Sequence, residues 1–176
     1  MSLELTFDEA SDAAVRREWR ALLDAGLPSQ AQHKGASNRP HVTMLVRPSL
    51  EEVAGTGLED MLPLDLTLGA PLLFGVGRSR VVARSIVPSV SLLHLHAAVH
   101  SRAGAPEGQD HTAPGAWTPH VTLARRVPLE GVAEALAVLA DTGGGEMRVR
   151  ATRLRRWDAD TRTITHIAGR GTLESC

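Results

Sequence analysis

The chain carries the same four-residue sequence twice, and this repeat constrains its fold more strongly than any other feature. Residues 40–43 and residues 119–122 both read Pro-His-Val-Thr. The match continues in register through five further pairs: Arg47 with Arg126, Leu50 with Leu129, Glu51 with Glu130, Val53 with Val132, and Ala54 with Ala133. We therefore predict one structural unit that is present twice, and we expect the two copies to meet at a single cleft.

Each copy has the composition of a short β-strand, and strand geometry decides where its side chains point. Residues two apart in a strand project to the same face. His41 and Thr43 therefore share one face while Val42 points to the other, and His120 and Thr122 share a face in the same way. We expect both histidines and both threonines to face the cleft, and the valine of each copy to pack in the core.

The residues after each strand favour a helix. In the first copy Pro48 ends the strand, Ser49 is a suitable N-cap, and Glu51 and Glu52 fall in the first helical turn, where acidic side chains are favourable. In the second copy a proline again comes after the strand, and apolar residues recur at helical spacing until the glycines at 143–145. Each copy is thus predicted to be a strand that runs into a helix.

The rest of the chain alternates between strand-like and helix-like patterns without a clear domain boundary. Two segments rich in turn-forming residues, Leu27–Arg39 and Arg102–Thr118, are predicted to be mobile loops that lead into the two copies. Several strands follow one another without a helix between them, which indicates antiparallel or mixed sheets. We predict an α+β fold in which residues 1–176 form a single domain made of two related lobes. The other predicted strands are Leu3–Phe7, which alternates as a half-buried strand does, Leu62–Phe74, Arg80–Ser85, Glu146–Trp157 and Arg162–Ala168, and the other predicted helices are Asp12–Asp24 and Ser91–Arg102.

Charge and cysteine content argue against several classes of protein. The formal net charge of −1 does not suit a protein that coats nucleic acid, because such a protein needs a broad basic surface. The only cysteine, Cys176, has no partner for an intramolecular disulfide, as is typical of a reducing cytoplasm. The first residues lack a signal-peptide pattern, and the sequence contains no apolar run long enough to span a membrane. We expect a cytoplasmic monomer with no membrane partner and no obligate protein partner.

Two His-x-Thr triplets on strands suit one kind of chemistry. The unperturbed pKa of imidazole, about 6.5, lets it act as acid or base near neutral pH. Threonine hydroxyls donate hydrogen bonds to anionic oxygens. Two such units across a cleft fit phosphodiester cleavage by proton transfer, in which one imidazole activates water and the other protonates the departing oxygen, with no need for a metal. Of the 8 histidines, only His41 and His120 begin such a triplet.

The motifs and their flanking residues resemble those of a known family. Pro-His-Val-Thr-Met-Leu at 40–45 and Pro-His-Val-Thr-Leu-Ala-Arg at 119–125 are similar to the paired motifs of the two-histidine (2H) phosphoesterase superfamily, above all its 2′-5′ RNA ligase branch of RNA 2′,3′-cyclic phosphodiesterases. The resemblance covers essentially the whole chain. It implies a bilobal α+β fold with pseudo-twofold symmetry, and metal-independent hydrolysis of a 2′,3′-cyclic phosphate to a 2′-phosphomonoester. It also implies specific roles for five residues: His41 and His120 as acid and base, and Thr43, Thr122 and Arg125 as phosphate-binding residues.

Two features depart from the family pattern. The first motif is followed by Met-Leu-Val-Arg and not by the aromatic-bearing Leu-x-Phe-Leu-Gly run of the RNA ligase branch, so a more distant 2H subgroup stays open. Arg125 lies an odd number of residues after His120, so simple alternation turns Arg126 and its counterpart Arg47 toward the cleft instead. A bulge in the strand would restore Arg125. Arg125 is preferred on resemblance, and Arg126 and Arg47 are kept as alternative substrate contacts.

Three weaker signals each allow two interpretations. His94, His96 and His100 have the spacing of a metal site on a predicted helix, but a solvated or half-buried helix face is favoured. Trp117 could stack a base at the mouth of the cleft or pack its loop against the protein. The densest basic run could guide a polynucleotide backbone, although an outward strand face that discourages edge pairing is favoured. This run consists of Arg148, Arg150, Arg153, Arg155 and Arg156.

These observations leave three hypotheses for function. The first is a cyclic phosphodiesterase that needs neither metal nor cofactor and acts on RNA with a 2′,3′-cyclic phosphate end or on a small cyclic nucleotide, with reversible 2′-5′ RNA ligation left open. The second is a non-catalytic module that binds an RNA end or a nucleotide phosphate in the same cleft. The third is a metal-dependent hydrolase. Because the two motifs are near copies, the sequence does not assign which histidine is the acid and which is the base.

Overall fold

The computed structural model describes residues 1–35, 37–51, 53, 55–106, 108, 110–143 and 145–169. Glu52, Ala54, Gly144 and Cys176, which bear on the expectations from the sequence, lie outside these residues. None of the helices in the described ranges is both long enough and apolar enough to cross a membrane. The strands are β1 (Ser2–Phe7), β2 (His41–Val46), β3 (Leu64–Phe74), β4 (Ser79–Ile86), β5 (His120–Pro128), β6 (Met147–Asp158) and β7 (Thr163–Gly169). The α-helices are α1 (Glu9–Asp24), α2 (Val90–Ala103) and α3 (Val132–Asp141).

The strands pair antiparallel throughout the described part of the chain, and six of them form a ring. Around the ring the order is β1-β2-β5-β4-β3-β6, and β6 returns to pair with β1. β7 adds to β6 beyond the end of the ladder between β3 and β6. The prediction of an α+β fold with antiparallel sheets is confirmed, and the boundaries of the predicted strands are close to those observed.

The ring has one narrow joint, between the two strands that carry the repeated motif. β2 and β5 share a single ladder pair, Val42 with Val121, whereas the ladder between β1 and β2 runs along most of both strands. One half of the ring is thus β2, β1 and β6, and the other half is β5, β4 and β3. Both valines are fully buried, as predicted for the core face of each motif. Because β1 and β6 come from opposite ends of the chain, we propose that the chain folds as one domain.

β1 lies inside the sheet, with a strand on each side. It pairs with β2 on one side and with β6 on the other. Its apolar side chains, Leu3, Leu5 and Phe7, are buried in the core as expected. Glu4 and Thr6 on the other face are buried as well, at 4% and 6% exposure. The prediction of a half-buried strand is therefore wrong for this second face.

Helix α1 begins three residues earlier than predicted. Asp8 is its N-cap, and the Asp8 carboxylate accepts a hydrogen bond of 2.8 Å from the backbone N–H of Ser11. Val15, Trp19 and Leu22 recur at helical spacing and form its buried face. This packing sets α1 against β1, β5 and β6, next to the second motif.

The two motif copies differ in the structure that comes after their strands. After β5 the chain forms a 3₁₀ turn at Leu129–Gly131 and then α3, as predicted. After β2 the described residues before the 3₁₀ turn at Glu59–Met61 form no helix, so the helix predicted for the first copy is wrong. Leu50 and Val53 instead reach the core from an irregular segment. Their tertiary packing overrides the local helix signals.

The two predicted loops also differ from each other. The first, Leu27–Arg39, is anchored and contains a 3₁₀ turn at Gln30–Gln32, whose N-cap is the hydroxyl of Ser29. The side-chain amide of Asn38 donates to two carbonyl oxygens of the same loop, at 2.9 and 2.8 Å. These contacts are a feature that the sequence did not predict, and the mobility of this segment stays a prediction. The second loop, residues 104–119, has no helix or strand in its described residues, as expected.

Candidate active site

Both motif histidines are held by the backbone in the same way. Nδ1 of His41 lies 2.7 Å from the carbonyl oxygen of Arg39, and Nδ1 of His120 lies 2.8 Å from the carbonyl oxygen of Thr118. A carbonyl only accepts a hydrogen bond, so each Nδ1 carries the hydrogen and donates it. A proline separates the two bonded residues in each copy. This contact fixes the orientation and tautomer of each ring and leaves Nε2 for proton transfer.

The joint between β2 and β5 sets the histidine of one copy beside the threonine of the other. The two strands are antiparallel and meet at the central valines of the motifs. His41 and Thr122 therefore lie on one side of this pair, and Thr43 and His120 lie on the other. All four side chains are half-buried. Their common face is the one that strand alternation predicts, and we call it the motif face.

A pocket of about 150 Å³ opens on the His41 side of the joint. Three of its lining residues, His41, Thr122 and Arg125, were predicted from the sequence. The others come from α1 and the first loop: Trp19, Gln30, His33 and Asn38. His120 and Thr43 do not line this pocket. The pocket combines an imidazole, a hydroxyl and a guanidinium, which are the groups that bind an oxyanion and transfer a proton to it.

A β-bulge after the second motif decides which arginine reaches the motif face. Thr122 and Ala124 pair with two consecutive residues of β4, so Leu123 is the extra residue of the bulge. The bulge shifts the alternation by one position and returns Arg125 to the face of Thr122. Arg126 has a left-handed φ of 58° and does not line the pocket. The geometry therefore places Arg125 in the pocket, and simple alternation, which favoured Arg126, is wrong here.

The same bulge occurs after the first motif, with different side chains. Thr43 and Leu45 pair with consecutive residues of β1, so Met44 is the extra residue. Val46 then takes the position of the pocket arginine and is 40% exposed. Arg47 turns inward and is buried, so the prediction that it contacts the substrate is wrong. The repeat thus supplies one arginine to the motif face and not two.

Arg47 belongs to a buried polar cluster that joins β2, α2 and the second loop. Its guanidinium forms an ion pair with Asp110. Burial acts to raise the pKa of Asp110, but hydrogen bonds from Thr112 and Arg47 outweigh it and lower that pKa to about 2. Nε2 of His96 lies 2.8 Å from the carbonyl oxygen of Thr112, and Nε2 of His100 lies 3.1 Å from a carbonyl oxygen of β2. The cluster fixes the second loop against the back of the first motif.

One histidine of α2 differs from the other two in its environment. His94 is exposed, whereas His96 and His100 are buried with their ring centroids 4.5 Å apart. Burial lowers the pKa of His96 to about 4 and also lowers the pKa of His100, so both rings are neutral at neutral pH. Across the described residues, no three His, Cys, Asp or Glu side chains are grouped in a way that could hold a metal ion. The favoured interpretation of a solvated or half-buried helix face therefore fits His94 but not His96 and His100, which are buried.

Two tryptophans bind the backbone of the two motifs. The indole N–H of Trp19 donates to the carbonyl oxygen of Thr122 at 3.1 Å, and the indole N–H of Trp117 donates to the carbonyl oxygen of Thr43 at 2.9 Å. These carbonyls lie where β2 and β5 diverge, so each indole supplies the donor that a neighbouring strand would have supplied. Trp117 also stacks on His96, with ring centroids 3.8 Å apart. It packs the second loop against the protein, which was the second of its two interpretations.

The two motif histidines differ in their surroundings, beginning with His120. Its ring packs against Phe74, with centroids 4.6 Å apart. Burial lowers the pKa of His120 below its ordinary value, against the opposing effect of the Thr118 carbonyl, and positive charge at His41 and Arg125 lowers it further. The neutral form of His120 is therefore favoured at neutral pH.

His41 lies instead beside a carboxylate. Its Nε2 is 3.7 Å from Oε1 of Glu4, an ion-pair distance for a protonated ring. Glu4 is buried, and it accepts hydrogen bonds from the Ser2 hydroxyl at 2.7 Å and from Nε of Arg155 at 2.9 Å. Sequence reasoning missed Glu4 because alternation with Leu3 placed it on a solvent face. In the sequence Glu4 shows only the alternation of apolar and polar residues, and any exposed strand residue shows the same pattern.

The basic run of β6 divides into residues with separate roles. Arg148 and Arg150 are exposed at the start of the strand, and Nε of Arg150 is 3.5 Å from a carboxylate oxygen of Asp65. Arg156 contacts the sulfur of Met1 at 2.8 Å. Arg153 and Arg155 line a groove beside the motif face. The favoured prediction of one outward strand face therefore fits only part of the run.

A model of the 2′-5′ RNA ligase superfamily matches residues 9–161 of this chain. The matched region contains both motifs and Arg125 and spans most of the sequence. The chain therefore belongs to the 2′-5′ RNA ligase superfamily, and the family resemblance drawn from its motifs is confirmed.

Solved structures to which the chain is similar include Usb1 of Kluyveromyces marxianus and LigT of E. coli in apo form. Usb1 is 11% identical, with 94% of this chain and 96% of Usb1 covered and a TM-score of 0.49. LigT is 17% identical, with 96% of each chain covered and a TM-score of 0.48. A structure of Usb1 with uridine monophosphate is 10% identical, at 94% and 96% coverage, with a TM-score of 0.48. No curated protein sequence matches the chain.

Proposed function

We propose that this chain is a metal-independent cyclic phosphodiesterase that hydrolyses a 2′,3′-cyclic phosphate, at an RNA end or on a small cyclic nucleotide, to a 2′-phosphomonoester. The observation that carries the proposal is the matched pair of imidazoles on adjacent strands, each bound through Nδ1 so that Nε2 is left for proton transfer. Membership of a superfamily named for 2′-5′ RNA ligation supports a substrate of this class.

The different surroundings of the histidines support an assignment of roles. His120 is the general base, because burial and nearby positive charge favour its neutral form. His41 is the general acid, because the Glu4 carboxylate lies at ion-pair distance from its Nε2. Thr43 and Thr122 then donate hydrogen bonds to the non-bridging phosphate oxygens.

The reaction uses these roles in order. Nε2 of His120 takes a proton from water while the water oxygen forms a bond to phosphorus. The bond from phosphorus to the ribose O3′ breaks, and Nε2 of His41 gives its proton to O3′. The phosphate stays on O2′, and the guanidinium of Arg125 offsets the charge that develops on it. When the 5′-hydroxyl of a second RNA replaces water, the same bond changes form a 2′-5′ linkage, so ligation is the related reaction to assay.

The test is a panel of 2′,3′-cyclic mononucleotides and cyclic-ended oligonucleotides, assayed with and without EDTA, with the position of the product phosphate determined. We expect 2′-phosphate products, turnover that persists in EDTA, and a loss of about 10²–10⁴-fold in kcat/KM in both His41→Ala and His120→Ala. His94→Ala is the matched control, because His94 is exposed on α2.

Other outcomes select the other hypotheses. Near-full activity in either motif variant would overturn the paired acid and base scheme. Binding of cyclic-ended RNA that survives both substitutions, with no turnover on any substrate of the panel, would indicate the non-catalytic module. Sensitivity to EDTA, restored by a divalent cation, would indicate the metal-dependent hydrolase.

A further inference from the structure

Basic side chains are the largest group among the residues that line a groove beside the motif face. It has a volume of about 1080 Å³ and lies between α1, the first loop and strands β1, β6 and β7. Two carboxylates, Glu9 and Asp12, also line it, and Asp12 is paired with Arg16. Among the described residues that line the groove, positive charge therefore exceeds negative charge, even though Arg155 is paired with Glu4. The basic lining residues are Arg16, Arg39, Arg153, Arg155, Arg162 and His166.

The sheet register shows that this groove continues the motif face. Directly opposite residues of an antiparallel ladder project to the same face. Thr6 of β1 pairs with His41 on one side and with Arg153 on the other. Glu4 likewise lies between Thr43 and Arg155. Since adjacent strands are about 4.8 Å apart, Arg153 stands two strands, or about 10 Å, from His41.

Two members of the groove have surroundings that suit a nucleic acid strand. The guanidinium of Arg155 is held 2.8 Å from the Glu4 carboxylate and donates to the carbonyl oxygen of Ser37 at 2.9 Å, so its position is fixed. Trp157 is half-buried, pairs with Ile164 of β7 and lines the groove. An aromatic ring among guanidinium groups is the combination that binds single-stranded nucleic acid, because bases stack on the ring while cations follow the backbone.

We propose that the groove binds the nucleotides that precede the terminal cyclic phosphate, so that a single-stranded RNA substrate makes contacts that a cyclic mononucleotide lacks. This inference rests on the proposed function, because it places the terminal phosphate at the two motif histidines. The strand then runs from His166 and Trp157 past Arg153 to His41. Its phosphates lie along the guanidinium groups, and one of its bases stacks on Trp157. A cyclic mononucleotide occupies only the motif face and gains none of these contacts.

The experiment compares kcat/KM for a 2′,3′-cyclic mononucleotide with kcat/KM for a graded series of cyclic-ended oligonucleotides. We expect kcat/KM to rise about tenfold or more as the oligonucleotide extends through the groove. Arg153→Gln, Arg162→Gln and Trp157→Leu should each lower the ratio of oligonucleotide to mononucleotide kcat/KM, about tenfold for the tryptophan. The arginine variants should also reduce the salt dependence of oligonucleotide binding, by about 0.7 in the log–log slope for each lost phosphate contact.

Arg148→Gln is the matched control, because it removes the same charge from an exposed position on the same strand outside the groove. Equal kcat/KM for the mononucleotide and the oligonucleotides, or an equal loss of kcat/KM on both in the groove variants, would overturn the proposal that the groove binds RNA. The proposed function would then stay in place. If the wild-type chain turns over neither substrate, the proposed function fails, and fluorescence anisotropy with a 3′-phosphorylated oligonucleotide decides the groove separately. Weaker binding of this oligonucleotide by Arg162→Gln than by Arg148→Gln then supports the role of the groove, and equal binding by the two variants overturns it.

Discussion

The two copies of the motif share a backbone plan and differ in the side chains around it. Both have a histidine bound through Nδ1 to the carbonyl two residues earlier, a threonine whose carbonyl accepts an indole N–H, and a bulge directly after the threonine. The position beyond the bulge is Arg125 in one copy and Val46 in the other. One imidazole lies beside a carboxylate and the other beside an aromatic ring. The repeat thus supplies a symmetric scaffold, and its departures from symmetry assign different roles to the two halves.

The largest expected effect concerns the arginines that come after the two bulges, Arg47 and Arg126. In the described residues Nε and one terminal nitrogen of Arg47 have no hydrogen-bond partner, so Asp110 is its main support. Asp110→Asn should lower the free energy of unfolding by about 3–5 kcal/mol, because it leaves a buried charge without its partner. Arg126→Gln, the matched exposed change, should shift it by less than about 0.5 kcal/mol. Urea denaturation measures both changes in the free energy of unfolding. Equal changes would show that the buried Arg47 pair and the exposed Arg126 contribute equally to stability.

A second prediction concerns the pocket arginine. Arg125→Gln should lower kcat/KM by about 10²-fold, because it removes a charged donor aimed at the phosphate. It should also move the acid limb of the pH–rate profile to higher pH, since positive charge at Arg125 lowers the pKa of His120 and its loss lets that pKa rise. Steady-state kinetics across pH measure both effects. A larger loss in Arg126→Gln than in Arg125→Gln would reverse the assignment made from the bulge.

The tryptophans test whether the two copies are supported equally. Trp19→Phe and Trp117→Phe keep an aromatic ring and remove the indole donor, which leaves a motif carbonyl without its partner. Each should lower the free energy of unfolding by about 1–2 kcal/mol, measured by urea denaturation. Trp157→Phe serves as control, since its indole N–H donates to neither motif. A loss of stability in only one of the two variants would show that the two indole contacts do not support their motifs equally.

The smallest expected effect concerns Glu4, the carboxylate beside His41. Glu4→Gln keeps the shape of the side chain and removes the negative charge 3.7 Å from Nε2 of His41. It should lower kcat/KM by less than about tenfold, because the His41 imidazole and its bond to the Arg39 carbonyl stay in place. Ser2→Ala removes a hydrogen bond to Glu4 but keeps its charge, so it should lower kcat/KM less. Steady-state kinetics measure both variants, and an equal loss in the two would show that the charge of Glu4 does not act on His41.

The repeat predicted a large part of the fold and of the site. A strand has a period of two, so the four motif residues and the two buried valines could be assigned to faces from spacing alone. The turns and most strand boundaries were also readable, because glycine, proline and aspartate mark them locally. These features depend on neighbours in sequence, which is why one chain was enough to predict them.

The remaining features depend on partners far away in sequence. The described residues after the first motif form no helix, because Leu50 and Val53 pack directly into the core. Glu4 was assigned to solvent because the sequence does not show that β1 has strands on both sides. The bulges that move Arg125 onto the motif face and Arg47 away from it result from pairing with other strands. Long-range pairing of this kind leaves no periodic signal in the sequence.

The central claim is that His41 and His120 act as one acid and base pair, and a double-variant comparison tests it most directly. The rates of cyclic phosphate hydrolysis by His41→Ala, by His120→Ala and by the double variant are measured under the same conditions. If the two rings act as a unit, each single variant falls to nearly the same low rate and the double variant falls little further. Losses that multiply in the double variant, or a single variant with near wild-type turnover, would contradict the paired mechanism.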